Sequence, residues 1–279
     1  MLAYKSGSTG EEINLTQEAI RARIKKAGFY DHKWKPEETE LENGVQISGF
    51  KKEKAEYDLT LDFIGSKQER AENSNRFFEL TERDVLENTA GILKLNDYCI
   101  ECYVTESKSG GRDTRTRMVQ RETKIIAPYP FWFTEQMHMF KPGVGQNAGY
   151  LDFSFDCPFD LMGDRTGSGS INLEHYAACD FLLTIYGPCT TPRIVIGNNI
   201  YEVKTKLDSG EYMQIDSRKG TVIRTRASGL KVSEFDNRNS AAGSVFQKIQ
   251  PGYNLVSWNG SFGFDIILYI ERSEPRWIG

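Results

Sequence analysis

The residues of this sequence that could do chemistry are few and scattered. The 279-residue chain has three histidines, His32, His138 and His175. None of them belongs to an HExxH or HxH motif or has a second histidine one helical turn away, which is the spacing that brings two imidazoles to one metal ion. A metal site would therefore have to be assembled from residues far apart in the sequence.

The cysteines offer one short motif, because Cys99 and Cys102 form a CxxC pair. The surrounding residues read as a strand, and a three-residue offset on a strand points the two thiols to opposite faces. A zinc knuckle needs both thiols on one tight turn and a second pair, which is missing. Cys157, Cys179 and Cys189 are isolated in apolar surroundings. We interpret all five as structural thiols.

Two pairs of carboxylates have a spacing that a glycosidase could use, Asp152 with Asp156 and Asp208 with Glu211. The same residues are common at strand edges and turns of any β protein, and the sequence does not rank them. The glycine-rich run at 163–169 lacks the lysine and the following helix of a phosphate-binding loop. We assign no catalytic, cofactor-binding or metal-binding residue, and we predict that the protein is not an enzyme and needs no cofactor.

The composition is that of a folded protein with a slightly acidic surface. The hydrophobic fraction is 39%, and the net charge is −4. A negative net charge argues against a protein that binds nucleic acid through its phosphates. The basic run at 112–117 is interpreted as a solvated loop tip. No apolar run approaches the length of a membrane span, and residues 1–15 do not resemble a secretory signal, so we expect no membrane insertion and folding in the cytoplasm.

The first third of the chain predicts two helices and several strands. Thr16 is a candidate cap for a helix over 16–27, with an apolar stripe of Ala19, Ile20, Ile24 and Ala27. This stripe packs on its own domain or, alternatively, docks a partner or a membrane surface. The polar stretch 35–43 is predicted to be a loop. Apolar residues then alternate from Val45 to Phe63, which predicts strands, and 67–87 predicts a helix laid over a sheet.

A rigid connector follows the strand predicted at 118–127. The stretch 127–132 reads Ala-Pro-Tyr-Pro-Phe-Trp, and its two prolines forbid a helix and disfavour a central strand. Its aromatic rings must be covered by other parts of the protein. We interpret this stretch as the end of a first domain, although an exposed aromatic cluster could instead be a platform on which a sugar stacks.

The remainder of the sequence predicts an all-β domain. Runs at 150–157, 181–186, 244–248, 254–258 and 264–270 read as strands. Between them, 192–226 carries four apolar-rich runs separated by turn residues, which predicts an antiparallel meander. These eight or nine strands without a convincing helix are typical of an antiparallel sandwich. Near the end of the chain, Trp277 is expected to be buried.

Three ordered stretches resemble one family, the distal tail proteins (Dit) of long-tailed bacteriophages and prophages of Gram-positive bacteria. Residues 50–104 resemble the N-terminal domain of these proteins, and the APYPFW stretch at 127–132 resembles the signature that ends this domain. The block from Thr191 to Trp258 resembles their galectin-like C-terminal domain. Together the three stretches cover most of the chain in the order that the family has.

The resemblance implies a mainly β fold of two domains. Residues 1–133 would form an α+β, ring-forming domain like a tail-tube protein, a β-sandwich or split barrel with one or two helices. Residues 134–271 would form a galectin-like antiparallel β-sandwich. The chain end, 272–279, would pack back on the N-terminal domain.

The resemblance also implies a non-enzymatic, structural function at the virion tail tip. A homo-hexameric ring would join the major tail tube protein to the baseplate and receptor-binding proteins, and phage DNA would only pass through its lumen. The protein would be made and assembled in the cytoplasm of the bacterial host. Two alternatives stay open: a carbohydrate-binding module, motivated by Trp258, Tyr253 and Tyr201, and a glycan hydrolase of the tail tip.

Overall fold

In the computed structural model, which describes residues 1–113, 118–143 and 167–277, the chain folds mainly into antiparallel strands. This confirms the mainly β class predicted from the sequence. The strand predicted at 150–157, with Asp152, Asp156 and Cys157, lies outside the described residues, as does most of the loop at 163–169. The chain divides into a first unit, Met1–Thr134 with Glu271–Gly279, and a second unit, Glu135–Ile270.

The first unit contains ten strands and one long helix among its described residues. They are β1 (Leu2–Lys5), β2 (Glu12–Asn14), β3 (Ile20–Ala22), β4 (Lys35–Leu41), β5 (Gly44–Lys51), β6 (Ala55–Ile64), α1 (Lys67–Leu86), β7 (Gly91–Leu95), β8 (Tyr98–Asp113), β9 (Met118–Ala127) and β10 (Trp132–Phe140), whose last residues belong to the second unit. The strand orders are β2-β1-β7-β8 and β3-β6-β9-β8, so β8 takes part in both.

The helix predicted at 67–87 is confirmed, and its start follows from a capping box. The hydroxyl of Ser66 accepts from the backbone N–H of Glu69, and the carboxylate of Glu69 accepts from the backbone N–H of Ser66. Phe77 and Leu80 are buried in the core of the unit. The helix is therefore defined by its cap and by the apolar face that it lays on the sheet.

The last turn of α1 also carries a buried carboxylate, Asp84, which fixes the loop after β1. It accepts hydrogen bonds from the hydroxyls of Tyr4 (2.7 Å), Ser6 (2.7 Å) and Ser8 (2.6 Å) and from the backbone N–H of Ser8 (3.0 Å). Burial alone raises the pKa of this carboxyl, but the hydrogen bonds outweigh burial and lower it. Asp84 thus ties the chain start to the helix.

Two predictions for the first forty residues are wrong. The region 16–27 is not a helix, because Ile20 pairs with Phe63 in the β3–β6 ladder and Ile24–Lys26 forms only a 3₁₀ turn. Arg23 donates to both carboxylate oxygens of Asp62, which holds this segment against β6. The predicted loop at 35–43 is largely the strand β4. Tertiary pairing overrode a helical apolar spacing in the first case.

The second unit is an antiparallel β-sandwich. Its strands are β11 (Gly167–Leu173), β12 (Asp180–Tyr186), β13 (Cys189–Thr190), β14 (Arg193–Ile196), β15 (Asn199–Glu202), β16 (Lys206–Leu207), β17 (Tyr212–Asp216), β18 (Thr221–Thr225), β19 (Lys231–Ser233), β20 (Gly252–Trp258) and β21 (Phe264–Arg272), whose last residues belong to the first unit. One sheet has the order β11-β20-β14-β15, and the other contains β19-β18-β17-β12-β21. Buried side chains such as Ile194, Phe181 and Ile215 form the core of the sandwich.

The meander predicted over 192–226 is wrong in one respect. All four runs contain strands, but β14–β15 belongs to the four-stranded sheet, whereas β17–β18 belongs to the other sheet. Between the two hairpins, the short strand β16 pairs with β13. The chain changes sheets because a sandwich must cover the apolar face of each sheet with the other. The strand predicted at 244–248 is also wrong, since these residues form a loop.

Candidate functional site: an exposed hairpin and its root

The hairpin of β4 and β5, hereafter the exposed hairpin, is a two-stranded sheet of its own. Its ladder runs from Lys35 opposite Lys51 to Leu41 opposite Gly44, with one bulge at Glu37 and Glu38. All but two of the residues in the two strands are exposed. An isolated two-stranded hairpin is only marginally stable in water, so contacts outside its own ladder must contribute to its stability.

One face of the exposed hairpin combines apolar and acidic side chains. Val45 and Ile47 are more than half exposed, at 54% and 52%. They lie opposite Glu40 and Glu38, respectively. Because residues i and i+2 of a strand share a face, these four side chains form one small amphipathic surface. Exposed apolar side chains grouped in this way are typical of a protein interface.

The root of the hairpin, formed by Trp34, Lys52 and Phe131, holds it to the rest of the first unit. The ammonium of Lys52 lies 5.1 Å from the ring centroid of Trp34 and 4.7 Å from that of Phe131. It also donates to the backbone carbonyl of Pro130 at 3.4 Å. Burial lowers the pKa of Lys52, and the charge of Glu274 opposes this shift. Lys52 is therefore a cation that lies against two aromatic rings, which also contact each other with centroids 6.0 Å apart.

The root places the APYPFW connector at the base of the hairpin. Trp132 is completely buried, and its indole N–H donates to the hydroxyl of Tyr57 at 3.2 Å. Tyr129 stays partly exposed and donates to the carboxylate of Glu271 at 2.7 Å. The expectation that the aromatic rings of the connector are covered is thus met for Trp132 and only in part for Tyr129.

A groove of about 620 Å³ runs beside the root, lined by Lys26, Lys33, Lys35, Lys54, Glu53, Glu56 and neighbouring residues. Several of these charges neutralise each other: Lys35 contacts Glu53 at 3.0 Å, and Lys54 contacts Glu56 at 2.9 Å. Hydrogen bonds from Lys124 and Lys54 lower the pKa of Glu56 to about 2. A carboxylate with this pKa is a poor general base at neutral pH.

The chain end lies against the same part of the first unit. The imidazole Nδ1 of His32 contacts a carboxylate oxygen of Glu274 at 3.0 Å, and the ring of Trp277 stacks on that of Tyr30 with centroids 4.3 Å apart. Trp277 is nevertheless 75% exposed, so the prediction that it is buried is wrong. One face of its indole is covered and the other meets solvent.

The candidate chemical residues named from the sequence do not converge. His32 contacts Glu274, His138 is on β10 with a pKa lowered by burial, and the ring of His175 packs on Tyr176. Cys99 and Cys102 lie on β8 and differ in burial, and burial raises the pKa of the Cys102 thiol to about 12. Within residues 1–113, 118–143 and 167–277, no group of three or more metal-ligating side chains is close enough to hold a metal ion.

Of the two acidic pairs named from the sequence, Asp208 with Glu211 lies within the described residues, and its contacts are those of a turn. A carboxylate oxygen of Glu211 accepts from the backbone N–H of Asp208 at 2.9 Å and from Nε of Arg224 at 3.0 Å. Asp216 accepts from the backbone N–H groups of Arg218 (3.0 Å) and Lys219 (3.1 Å) in the next turn. These carboxylates are occupied with backbone and guanidinium donors, which is the chemistry of turns.

Two of the three aromatic residues that motivated the carbohydrate-binding module are buried. Trp258 donates its indole N–H to the carbonyl of Phe262, and Tyr201 donates its hydroxyl to the carbonyl of Gln247, both in the sandwich. Only Tyr253 is exposed, at 68%. Among the residues that the structure describes, no helix is long and apolar enough to cross a membrane.

Sequence comparisons find no relative, since no protein-family model and no curated protein matches this chain. Solved structures do match over the full length. The Dit protein of phage SPP1, described as a paradigm of the hub adsorption apparatus in phages that infect Gram-positive bacteria, is 8% identical with a TM-score of 0.56, covering 98% of this chain and 99% of that one.

Two chains of the phage P2 baseplate in its activated conformation, one with calcium and one with strontium, are each 11% identical. Their TM-scores are 0.63 and 0.61, and both matches cover 99% of this chain and 100% of the other. At such low identity the likeness concerns the fold. The chain is thus similar over its whole length to phage distal tail and baseplate proteins, which confirms the fold that the resemblance implied.

Proposed function

We propose that this protein is a non-enzymatic structural component of a phage or prophage tail tip, where six copies form a ring that connects the tail tube to the baseplate and host-adsorption apparatus. The observation that carries the proposal is the match along the whole chain to distal tail and baseplate structures. Each match covers 98% or 99% of this chain and therefore includes residues of both units.

The exposed hairpin supports ring formation by the first unit. Its apolar side chains are exposed, and the outer edges of its two strands pair with no other strand that the structure describes. A head-to-tail contact that closes around a rotation axis covers such a surface on every copy and leaves none exposed. In this proposal the hairpin of one copy packs on the first unit of the next.

The partners follow from this placement. The first unit continues the tail tube and contacts the major tail tube protein, and the galectin-like second unit projects outward to baseplate and receptor-binding proteins. Phage DNA passes through the lumen of the ring without being bound. The protein resides at the virion tail tip after assembly in the cytoplasm of the bacterial host.

Ring formation is tested on the full chain by size-exclusion chromatography with light scattering and by negative-stain microscopy. We expect six-fold rings whose abundance grows with protein concentration. Monomers alone at high concentration, with no rings on the grid, would contradict the proposal.

A charged double substitution sharpens the test. Val45→Asp with Ile47→Asp adds two negative charges to a face that already carries Glu38 and Glu40, and it removes the apolar contact. We expect the monomer to stay folded and the rings to disappear. Leu230→Asp, at an exposed position of the second unit, is the matched control and should leave the rings intact.

A further inference from the structure

The second unit contains a small groove whose walls are rich in carboxamide side chains. This carboxamide groove, of about 210 Å³, is lined mainly by Asn198, Asn199, Gln247, Lys248, Gln250 and Asn254, above a floor of Ile196, Ile249 and Tyr201. The carboxamide side chains are planar and can both donate and accept hydrogen bonds, so the groove offers mainly polar contacts.

The fold holds the two walls of the groove in place. The tight turn at Gly197 and Asn198 joins β14 to β15, and the loop before β20 lies against it. Asn199 donates its amide N–H to the carbonyl of Ser244 at 2.9 Å, and Tyr201 donates its hydroxyl to the carbonyl of Gln247 at 2.6 Å. The groove is therefore preformed, because two side chains of β15 donate hydrogen bonds to the backbone of the opposite loop.

The orientation of the inner amide is fixed by its partners. Asn254 donates to the carbonyl of Gln250 at 2.8 Å and to that of Gly252 at 3.1 Å. Because a backbone carbonyl only accepts, the NH₂ group of Asn254 faces the loop and its oxygen points elsewhere. That oxygen lies beside Gly197, where an added Cβ would come within 3.0 Å of it. A side chain larger than glycine would crowd this wall.

The outer rim supplies carboxamides with hydrogen-bonding capacity to spare. Asn198 and Gln247 are exposed, and within the described residues their side chains make no hydrogen bond. Gln250 makes a single weak one, from its NH₂ to the carbonyl of Lys248 at 3.3 Å. Each of these amides can therefore donate to and accept from the same ligand, as a hydroxyl group requires.

The charge of the groove selects against ions. Its one cation, Lys248, contacts the buried carboxylate of Asp180 at 2.7 Å. Neither aspartate nor glutamate is among the described residues that line it. An anion would have to compete with Asp180 for Lys248, and a metal ion would find only neutral amide oxygens. The chemistry fits a neutral molecule that carries many hydroxyl groups.

We propose that the carboxamide groove binds one ring of a neutral saccharide. The amides of Asn198, Gln247 and Gln250 exchange hydrogen bonds with its hydroxyl groups, above a floor in which Ile196 and Ile249 are only 3% and 2% exposed. The groove is built by the second unit alone and is separate from the exposed hairpin. Saccharide binding and ring formation therefore stand or fall independently.

The test uses the full chain on an array of neutral glycans that end in glucose, galactose, N-acetylglucosamine or rhamnose, followed by titration of any hit. We expect binding by the wild type and a loss of about tenfold or more in affinity for Asn198→Ala with Gln247→Ala, since each removes hydrogen bonds to the ligand. Asn172→Ala and Tyr253→Ala, both at exposed positions of the same unit outside the groove, should bind as the wild type does.

Three results would overturn the proposal: no glycan bound, equal binding by the double variant, or a loss that follows Tyr253→Ala instead. A second measurement does not depend on the variants. The isotope-labelled wild type is titrated with the terminal monosaccharide of the glycan that binds, and its NMR spectrum is recorded. Backbone amide resonances of residues 196–199 and 247–250 should shift together. Resonance shifts confined to other residues would also overturn the proposal.

Discussion

Two hairpins of this protein have the same antiparallel pairing but differ in their neighbouring strands and in the burial of their side chains. The exposed hairpin (β4–β5) and the hairpin β17–β18 are both antiparallel ladders of at least five pairs. β17–β18 lies between β12 and β19, and it buries Met213, Ile215 and Val222 in the sandwich core. Within the described part of the chain, the exposed hairpin pairs with no other strand, and none of its strand residues is fully buried.

The difference teaches where the stability of a hairpin comes from. Ladder hydrogen bonds are similar in both, but each replaces a bond to water and contributes little net free energy. Burial of apolar side chains contributes far more. β17–β18 is therefore stabilised by its own sandwich. The exposed hairpin depends on its root and, in the proposed ring, on a neighbouring copy.

The largest expected effect comes from the same truncation made in both hairpins. Ile215→Ala removes a completely buried side chain and should lower the free energy of unfolding by about 2–5 kcal/mol. Ile47→Ala, at a half-exposed position, should change it by about 0.5 kcal/mol or less. Urea denaturation checks this at a concentration where light scattering finds only monomer. Equal losses would mean that the exposed hairpin is packed within its own chain.

Acid should affect β17–β18 through Glu211. The backbone N–H of Asp208 and the guanidinium of Arg224 lower the pKa of Glu211, against the effect of burial. A lowered pKa in the folded state stabilises the protein above the unfolded value of about 4.3, and this contribution is lost as the pH falls through the folded pKa. We therefore expect Glu211→Gln to be less stable than the wild type at pH 6, by a smaller margin than Ile215→Ala.

The gap between wild type and Glu211→Gln should narrow as the pH falls below about 4, because the wild-type carboxyl then takes up its proton as well. Urea denaturation of both proteins at pH 6, 4 and 3 measures this gap. Other carboxylates, including Asp84, lower the stability of both proteins alike. A gap that is constant with pH would show that the charge of Glu211 does not stabilise the fold.

The two hairpins also show what the sequence can reveal. β17–β18 was predictable because Met213 and Ile215 alternate with polar residues, which is the signal of a strand with one buried face. The strand β4 lacks that signal, since neither of its faces is buried, and its polar composition reads as a loop. The prediction of a loop failed because β4 packs neither of its faces against the core of the first unit.

The root and the carboxamide groove were not predictable for a different reason. Trp34, Lys52 and Phe131 meet only after the chain has folded, and no local spacing announces a contact between residues so far apart. The helix predicted at 16–27 shows the converse. Ile20 and Ile24 have helical spacing, but Ile20 lies in strand β3 and pairs with Phe63 of β6. Local patterns predict faces, and long-range pairing decides which faces meet.

The smallest expected effect concerns the attachment of the exposed hairpin, and neighbouring lysines separate two explanations for it. Lys52→Ala removes the cation that lies against Trp34 and Phe131, an interaction of about 0.5–2 kcal/mol, so amide hydrogen exchange over 35–51 should accelerate by about 2- to 30-fold. Lys51→Ala removes only an exposed pair with Glu37 at 3.3 Å and should leave exchange almost unchanged. If both variants accelerated exchange equally, the positive charges of the two lysines, rather than the contact of Lys52 with the aromatic rings, would hold the hairpin. If neither accelerated exchange, contacts other than those of Lys52 would hold the hairpin, among them the contact between the rings of Trp34 and Phe131.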